Sequence, residues 1–473
     1  MRTGRKSLLV ACLALTVTQV SWGDSLKDIY ESALQNDPVL RAARATYLAG
    51  KENLAQGRAG LLPQIIATAS YAETTTDSNS ERLFLNQQSI SDTESDTDTT
   101  NYALQLSQAV FDMPAWFRFQ SGKALSASAR AQFSSDQQSL IVRVSDAYFN
   151  VLRAYDDLET RKAEERAIHR QLEQTKERFD VGLLPITDVH EAQAAYDDAV
   201  VNSLESRGAL NIAFEQLEVL TGQSHYVLAG LAEKFPAARP DPATSDAWVE
   251  FALTNNYQLK VAELSKDASH TSAKAQKYEH LPKLTLSLGY DKRDSEGTQD
   301  GVSGLVGNLS SLNNEPFDET TETSSIALNL NMPLYSGGLL HSQRRQSAHL
   351  ATQSTENYIA TKRNTVQSAR SQHQLVVTNS ARVKARKQSI TSAESALEAT
   401  QAGYEVGTRN IVDVLVAQRT LYQARRNYAN ARYDYILSMM RLREVAGQLS
   451  PEDVYQLNAW LDPQLVINKA SAQ

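Results

Sequence analysis

The sequence has few aromatic residues and a single cysteine. Phe, Trp and Tyr together make up 7% of its 473 residues, so one large compact hydrophobic core is not the expected outcome of this composition. The cysteine, Cys12, lies in an N-terminal segment that we expect to be removed, and the mature chain is therefore predicted to contain no disulfide bond. An elongated or repetitive architecture is favoured.

Motifs for the common kinds of catalysis are also missing. The sequence has no GxGxxG, no phosphate-binding loop and no GxSxG, and its eight histidines show no HExxH spacing. We therefore predict no enzyme activity, no cofactor and no metal site, and we interpret the histidines as solvated helix positions. The adjacent carboxylates in two predicted helices point to different sides and are likewise interpreted as solvated: Asp156, Asp157, Asp197 and Asp198.

The N-terminal segment 1–23 has the pattern of a secretory signal peptide. Three basic residues precede an apolar run, and small residues follow before Asp24. Removing these positive charges makes the net charge, -8 for the whole sequence, more negative, which argues against nucleic acid as a partner. Alternatively, residues 9–12 form a lipoprotein signal with Cys12 as the lipidated residue. The apolar run continues past Cys12, which favours the first interpretation.

The chain consists of two tandem copies of about 220 residues each. ALQNDPVL at 33–40 resembles ALTNNYQL at 252–259, and RFDVGLLPITDV at 178–189 resembles GYEVGTRNIVDV at 403–414. Prolines in the segment between the copies are expected to break any long helix there. The predicted organisation is a signal peptide 1–23, a first repeat 24–222, an irregular linker 223–247, a second repeat 248–447 and an irregular C-terminal tail 448–473.

Each copy contains two short stretches of alternating apolar and small or polar residues, which predict strands: 65–71, 102–110, 284–290 and 326–332. The polar stretches between them are predicted to be solvent-exposed loops: 74–80, 91–100, 294–304 and 314–325. The alternation suits either strands between lipid and a wet lumen or ordinary hairpins of a soluble protein. No later stretch has the roughly 18 apolar residues of a membrane helix, so the chain could cross a bilayer only as strands.

Four strands cannot close a barrel, and open strand edges are not tolerated in lipid. If the strands span a membrane, the chain must oligomerise, giving eight strands as a dimer or twelve as a trimer.

The remaining sequence predicts long helices in coiled-coil contact. Val144, Val151 and Leu158 recur at seven-residue spacing, and the second copy repeats this frame. A helix over 112–179 would be about 100 Å long. The returning helix over 188–222 is half that length, so shorter helices stacked end to end could complement the long one. The fold class is therefore mainly α with a small β contribution.

The residues resemble the TolC family of outer-membrane efflux proteins. The resemblance rests on the two homologous halves, LLPQ before the first strand, and VGLLPITDV and VGTRNIVDV, and it extends to about residue 460. It implies a homotrimer in the Gram-negative outer membrane, with a twelve-stranded barrel and a long helical tunnel that reaches into the periplasm and closes like an iris. It also implies an exit duct for tripartite efflux or type I secretion, whose partners are a periplasmic adaptor protein and an inner-membrane pump or ABC exporter.

The resemblance implies a docking role for the two turns between long helices. The residues that match the family's adaptor-docking turns are Val181, Gly182 and Leu183 in the first copy and Val406, Gly407 and Thr408 in the second. The residues themselves require only helix-hairpin turns, in which Gly is a usual terminator. Both interpretations hold together if the turns lie at the exposed end of a tunnel.

Two aspartates follow these turns at equivalent places. Asp188 with Glu191, and Asn410 with Asp413, have the spacing of helix N-terminal caps. In a trimer, Asp188 and Asp413 would instead form carboxylate rings that select cations. The family usually has a second acidic residue three positions after the second aspartate; here the residue is Val416, so the resemblance implies one acidic ring in place of two.

The resemblance also implies a latch that holds the iris shut. In the family, a tyrosine and an arginine of the second copy bond to a Thr-Asp pair of the first. The matching residues here are Tyr404, Arg409, Thr187 and Asp188. The competing class of function is a coiled-coil scaffold without a pore, in the periplasm or on the cell surface. It would explain the heptads but not the four strands at matched places.

Overall fold

The computed structural model describes residues 23–84, 87–233 and 235–472. The predicted signal peptide, including Cys12, lies outside the described residues except for Gly23. The chain divides into two units: one comprises residues up to 44, 133–257 and 362 onward, and the other comprises 45–132 and 258–361. In the part of the chain that is described, no helix has both the length and the apolar character needed to span a membrane.

The helices, in chain order, are α1 (Leu26–Asn36), α2 (Pro38–Lys51), α3 (Asn53–Ala59), α4 (Met113–Asp180), α5 (Ile186–Thr221), α6 (Ser245–Asn255), α7 (Tyr257–Lys277), α8 (Leu339–Glu405), α9 (Ile411–Val445) and α10 (Pro451–Asn458). The strands are β1 (Gln64–Phe84), β2 (Gln87–Phe111), β3 (Val227–Leu231), β4 (Lys283–Leu305), β5 (Asn308–Asn331) and β6 (Leu461–Asn468). Short 3-10 turns occupy Tyr278–His280 and Lys469–Ala472. The mainly helical fold with a small β contribution agrees with the sequence prediction.

The four long strands form one antiparallel sheet in the order β1-β2-β4-β5. Each copy contributes one hairpin, and the pairing of β2 with β4 joins the two hairpins. The edge strands β1 and β5 have one neighbour each, and neither has a second strand partner among the described residues. Two rows of backbone N–H and C=O groups are therefore left without a strand neighbour in the single chain.

The polar stretches predicted as loops are strands instead. β1 continues without a break from its apolar start through 74–80, and the three other stretches likewise lie within β2, β4 and β5. The segments in β1, β2 and β5 are rich in Thr, whose branched side chain suits a pleated strand. The backbone pairing runs without a shift between β1 and β2 and is interrupted between β4 and β5 by one register shift near Gly301. An alternation of apolar and polar residues predicts a strand only when one of its faces is apolar. It therefore could not predict these strands, which are polar on both faces.

The linker and the tail, predicted to be irregular, also contain strands. β3 and β6 pair antiparallel, from Val227 opposite Asn468 to Leu231 opposite Leu461, and Asp24 bridges to Leu228. These partners lie more than 200 residues apart in the chain, so no local pattern could have indicated the pairing.

The predicted heptad positions form the buried seam of the helices. Val144, Val151 and Leu158 on α4 are fully buried, as are Leu210 and Leu217 on α5. Tyr148 lies in the same core, and its hydroxyl donates to the backbone oxygen of Ala229 at 2.6 Å. The seven-residue repeat therefore identified the contact face correctly.

Short helices precede the first strand, as predicted. The first two of them, α1 and α2, are separated at Asp37. Its carboxylate accepts hydrogen bonds from the backbone N–H of Leu40 at 2.9 Å and from Arg143 at 2.7 Å, which caps the helix that begins at Pro38. Burial on its own would raise the pKa of Asp37, but these hydrogen bonds outweigh it and hold the pKa below its usual value.

Some carboxylates and histidines predicted to be solvated are not. Asp156 accepts a hydrogen bond from Tyr433 at 2.7 Å, and burial raises its pKa although that bond acts in the opposite direction. His225 is 8% exposed and lies between Asp24, 2.8 Å away, and Thr221, 2.9 Å away. Asp197 and Asp198 are exposed, as predicted. The described residues contain no group of three or more His, Cys, Asp or Glu that could hold a metal ion.

A buried ion pair links α4 and α9. Arg426 on α9 is 5% exposed and Glu164 on α4 is 7% exposed, and a hydrogen bond of 2.8 Å joins them. Asp157, which lies 3.6 Å from the Arg426 Nε, and Arg161, 3.9 Å from Glu164, complete the cluster. Breaking a buried pair is costly because the remaining charge has little access to water.

We expect Arg426→Gln to lower the free energy of unfolding by about 3 kcal/mol, because it leaves the buried Glu164 carboxylate without its closest cation. The measurement is denaturant unfolding followed by helical circular dichroism. Adding Glu164→Gln to the same chain should recover part of this loss, because it removes the uncompensated charge.

The adjacent residue offers a matched control. Arg425 pairs with Glu394 at 2.9 Å, but their side chains are 44% and 47% exposed. Arg425→Gln should therefore cost at most about 1 kcal/mol. Equal losses in the two arginine variants would show that burial of the Arg426 cluster contributes nothing to stability.

Candidate gate and docking site at the helix hairpins

The turn between α4 and α5, residues 181–185, is here called the first tip. Gly182 has φ of +77°, and the N–H of Leu183 donates to the Arg178 backbone oxygen at 2.9 Å, which ends α4. Val181 and Leu183 are 69% and 72% exposed. Two apolar side chains therefore project from a turn that packing in the single chain does not cover.

The turn between α8 and α9, residues 406–410, is called the second tip and repeats this geometry. Gly407 also has φ of +77°, and the N–H of Thr408 donates to the Gly403 backbone oxygen at 2.9 Å. Val406 is 74% exposed. Apart from the glycine itself and its two chain neighbours, no heavy atom of the described residues lies within 4 Å of the position that a Cβ would take at either tip glycine. Both glycines are explained by backbone conformation, and both tips present open surface.

Asp188 lies in the first turn of α5 but does not cap it. The helix begins at Ile186 with Pro185 as its N-cap, two residues earlier than predicted, and Pro185 offers no side-chain cap bond. The Asp188 carboxylate accepts a hydrogen bond from the hydroxyl of Thr187 at 3.4 Å. A carboxylate in the first turn still interacts favourably with the helix dipole. The predicted capping box with Glu191 is wrong, because the extended residue before the helix is a proline.

Asp413 lies in the first turn of α9, where the predicted cap is confirmed. The Asn410 side chain accepts from the Asp413 N–H at 2.8 Å. The Asp413 carboxylate is 3.7 Å from the Arg409 guanidinium and partly exposed. Val416, one turn later, is 54% exposed and supplies no second acidic group. Since Asn410 caps the helix, the Asp413 carboxylate is not used for capping.

Tyr404 is partly buried near the second tip, where it packs against a small apolar cluster that joins four helices. The cluster consists of Ile168, Ala195, Tyr196, Ala199, Ile411 and Leu415 around Tyr404. The Arg178 guanidinium lies 5.2 Å from the centre of the Tyr404 ring, a cation–π contact. The Tyr404 hydroxyl is buried and has no hydrogen-bond partner within the described residues of one chain.

The four latch residues are not joined in the single chain. Arg409 pairs with Asp413, and neither Arg409 nor Tyr404 is hydrogen-bonded to Thr187 or Asp188 in the described part of one chain. Sequence reasoning missed Arg178, whose contact with Tyr404 crosses between the two copies and has no local signal. A buried hydroxyl without a partner is rare and calls for an explanation.

The arrangement is that of a membrane channel subunit: long paired helices, a four-stranded sheet with open edges, and exposed hairpin turns. A family model described as "Outer membrane efflux protein" matches residues 29–223 and 248–448. The chain belongs to this family of outer-membrane efflux proteins, and it is located in the outer membrane.

Individual relatives agree with this assignment. The outer membrane protein TolC of Vibrio cholerae is 36% identical over 96% of this chain and 98% of the relative. The alkaline protease secretion protein AprF of Pseudomonas aeruginosa is 29% identical over 94% of this chain and 89% of the relative. The CmeC outer membrane channel of Campylobacter jejuni shares the fold, with a TM-score of 0.70, 16% identity, and coverage of 92% of this chain and 90% of that one. These relatives are channel or secretion proteins and not enzymes, and they give no support to a scaffold without a pore.

Proposed function

We propose that three copies of the chain form an outer-membrane channel that serves as the exit duct for efflux, type I secretion or both. The observation that carries this proposal is the four-stranded sheet, whose two edge strands have no second strand partner in the described part of one chain. Unpaired backbone groups cannot remain in lipid, and twelve strands from three chains close a barrel without any edge. No nucleotide-binding motif occurs in the sequence, so the energy for transport comes from an inner-membrane pump or ABC exporter.

The gate in this proposal is built from Asp188, Asp413 and the Tyr404 region. Three copies of Asp413 around a narrow axis place carboxylates where they attract cations and repel anions. The buried Tyr404 hydroxyl and the Arg409 guanidinium are available to bond to Thr187 and Asp188 in the closed assembly. An iris-like movement of the hairpins, driven by the adaptor and the pump, would break these bonds and open the duct.

Ion selectivity tests the channel and the acidic ring together. Asp413→Ala should lower the cation-to-anion permeability ratio about fivefold, because a unit charge 4 Å away in water contributes about 1 kcal/mol. The measurement is single-channel current of the purified protein in a planar bilayer under a salt gradient.

The reciprocal variant is Val416→Asp, which adds an acidic residue at an exposed position one turn away and should raise the same ratio. Unchanged selectivity in both variants would remove the acidic ring from the gate. Absence of any current from membrane-inserted protein would overturn the channel itself.

Conductance tests the latch. Tyr404→Phe combined with Arg409→Ser should shift the gate toward the open state about fivefold, since one net hydrogen bond contributes about 1 kcal/mol. The readout is the mean single-channel conductance and the open fraction.

The matched control is Tyr196→Phe, which removes another tyrosine hydroxyl from the same apolar cluster. It should leave the conductance at the wild-type value. If the double variant also conducts like the wild type, Tyr404 and Arg409 do not hold the gate shut.

Adaptor docking at the tips is tested by adding bulk and charge. Gly407→Arg and Val181→Arg should reduce capture of a cognate periplasmic adaptor about tenfold, because both place a long cation on an exposed apolar turn. Val181→Arg avoids the positive φ of the glycine, so a loss in both variants cannot be ascribed to backbone strain.

Gly208→Arg is the control for these variants, because Gly208 on α5 also faces open space but lies away from both tips. Its adaptor capture should match the wild type. Tip variants that form the native oligomer and still capture wild-type amounts of adaptor would exclude the tips as the docking site.

A further inference from the structure

One face of the four-stranded sheet is apolar at one end of the strands and acidic further along them. Directly opposed residues of antiparallel neighbours lie on the same side of a sheet, so the registers determine which residues share a face. Ala67 is paired with Leu104, Leu104 with Tyr290, and Leu286 with Leu328. The face that carries these residues is called the outer face, since apolar residues of a transmembrane strand point to lipid.

The apolar part of the outer face ends at an oblique line across the sheet. Its last members are Tyr71 on β1, Tyr102 on β2, Tyr290 on β4 and Ile326 on β5. Tyr71 is paired with Thr100, two residues from Tyr102, and Tyr102 is paired with Lys292, two residues from Tyr290. Tyr290 is paired with Ser324, two residues from Ile326. A constant two-residue step is what tilted strands produce when they cross a flat boundary.

The line has the chemistry of a membrane interface. The three tyrosines are 66%, 53% and 45% exposed in the single chain, and aromatic residues form girdles where barrels leave the hydrocarbon region. From this line to the other end of the strands, the apolar part covers 102–111 on β2, 64–71 on β1, 283–290 on β4 and 326–331 on β5. The segment on β2 matches the 9 to 11 residues with which a tilted strand spans a bilayer, and the segments on the three other strands are shorter.

Beyond the line the outer face is acidic. Its carboxylates are Glu73, Asp77 and Glu81 on β1, Asp92, Glu94, Asp96 and Asp98 on β2, Asp294, Glu296 and Asp300 on β4, and Asp318 and Glu322 on β5. Lys292 on β4 also lies on this face, 3.4 Å from the Asp294 carboxylate. One row of directly opposed residues across all four strands consists of Glu73, Asp98, Glu296 and Asp318. Charged residues on the lipid face of a barrel are destabilising, so this part of the face is not in contact with hydrocarbon.

The opposite face of the same segments is mostly neutral. It carries mainly Ser, Thr and Gly, among them Thr74, Thr76, Ser78, Thr93, Ser95, Thr97, Ser295, Gly297 and Gly301. Most of the carboxylates therefore lie on the outer face, and Asp291, Glu315 and Glu319 lie on the opposite one. Small neutral residues on the other side suit the wall of a wide aqueous lumen.

We infer that the lipid-contacting surface of this protein ends at Tyr71, Tyr102, Tyr290 and Ile326, and that the rest of each strand extends the duct into water beyond the outer leaflet. β1 continues from Tyr71 to Phe84 and β4 continues from Tyr290 to Leu305. At about 3.3 Å per residue and a tilt of about 45°, such segments rise about 30 Å above the boundary. Cargo would therefore leave the duct well clear of the lipid headgroups.

Apolar residues reappear on the outer face close to the hairpin ends, where Val302 and Leu309 are 38% and 48% exposed. The acidic rows separate these residues from the apolar band. They therefore do not belong to the same bilayer contact.

A pair of single cysteines on β1 tests the boundary. Ala67 and Asn79 share the outer face and are exposed in the single chain, but they lie on opposite sides of the line. Since Cys12 is the only cysteine of the sequence and lies in the predicted signal peptide, each introduced thiol would be unique in the mature chain. The readouts are the rate of reaction with a membrane-impermeant thiol reagent in proteoliposomes, relative to the same variant in denaturant, and quenching of an attached fluorophore by nitroxide-labelled lipid.

Asn79→Cys should react at close to its denatured rate and its fluorophore should not be quenched. Ala67→Cys should react about 100-fold more slowly and be quenched, because the reactive thiolate is disfavoured in hydrocarbon. If both positions are slow and quenched, the bilayer covers the acidic rows and the extension does not exist. If both are fast and unquenched, the strands do not contact lipid, and the transmembrane assignment fails together with the boundary.

Discussion

The need to satisfy backbone hydrogen bonds along two strand edges constrains the whole molecule. β2 and β4 are paired on both sides, whereas β1 and β5 each have one strand neighbour among the residues that the structure describes. In water such edges are a liability, and in lipid they are prohibited. A chain of the outer-membrane efflux family therefore cannot complete its transmembrane part alone, and this requirement leads to the trimer proposed here.

The helical part also leaves a polar group without a hydrogen-bond partner in the described residues of the single chain. Heptad positions such as Val144 and Leu217 bury one seam fully within the chain, so each hairpin is well packed internally. Near the tips, however, Tyr404 contributes its ring to the apolar cluster while its hydroxyl remains without a partner in the described residues. The proposed gate needs both features. Packing keeps each hairpin rigid, and an unsatisfied polar group at its end can form or break hydrogen bonds with another segment.

Charge is placed differently in the two units. Among the helices, charged groups act in specific pairs, with Arg426 and Glu164 buried together and Arg143 bound to Asp37. On the sheet, carboxylates such as Glu73 and Asp98 are directly opposed with no charge of opposite sign between them. Opposed like charges are tolerated only where water and salt screen them, which fits an extension into solvent.

Local sequence determined the features that depend on neighbouring residues. The heptads identified the buried seam, the two VG turns identified the hairpin ends, and the Asn410 cap was read directly because the cap and its helix lie within four residues. The motifs of the two tips, together with the two homologous halves and LLPQ before the first strand, also indicated the family. The Asp188 cap was predicted wrongly, because the same spacing follows Pro185, whose ring offers no acceptor.

Only the tertiary structure decided what depends on partners far along the chain. The pairing of β3 with β6, the contact of Arg178 with Tyr404 and the burial of Arg426 against Glu164 join segments that no local pattern connects. The full length of the long strands could not be predicted for a related reason. Hydrophobic periodicity detects a strand only when one face is more apolar than the other, and Thr-rich segments such as 74–80 are polar on both faces. Their backbone hydrogen bonds, and not their side chains, make them strands, and the register across the sheet then places most of the carboxylates on one face.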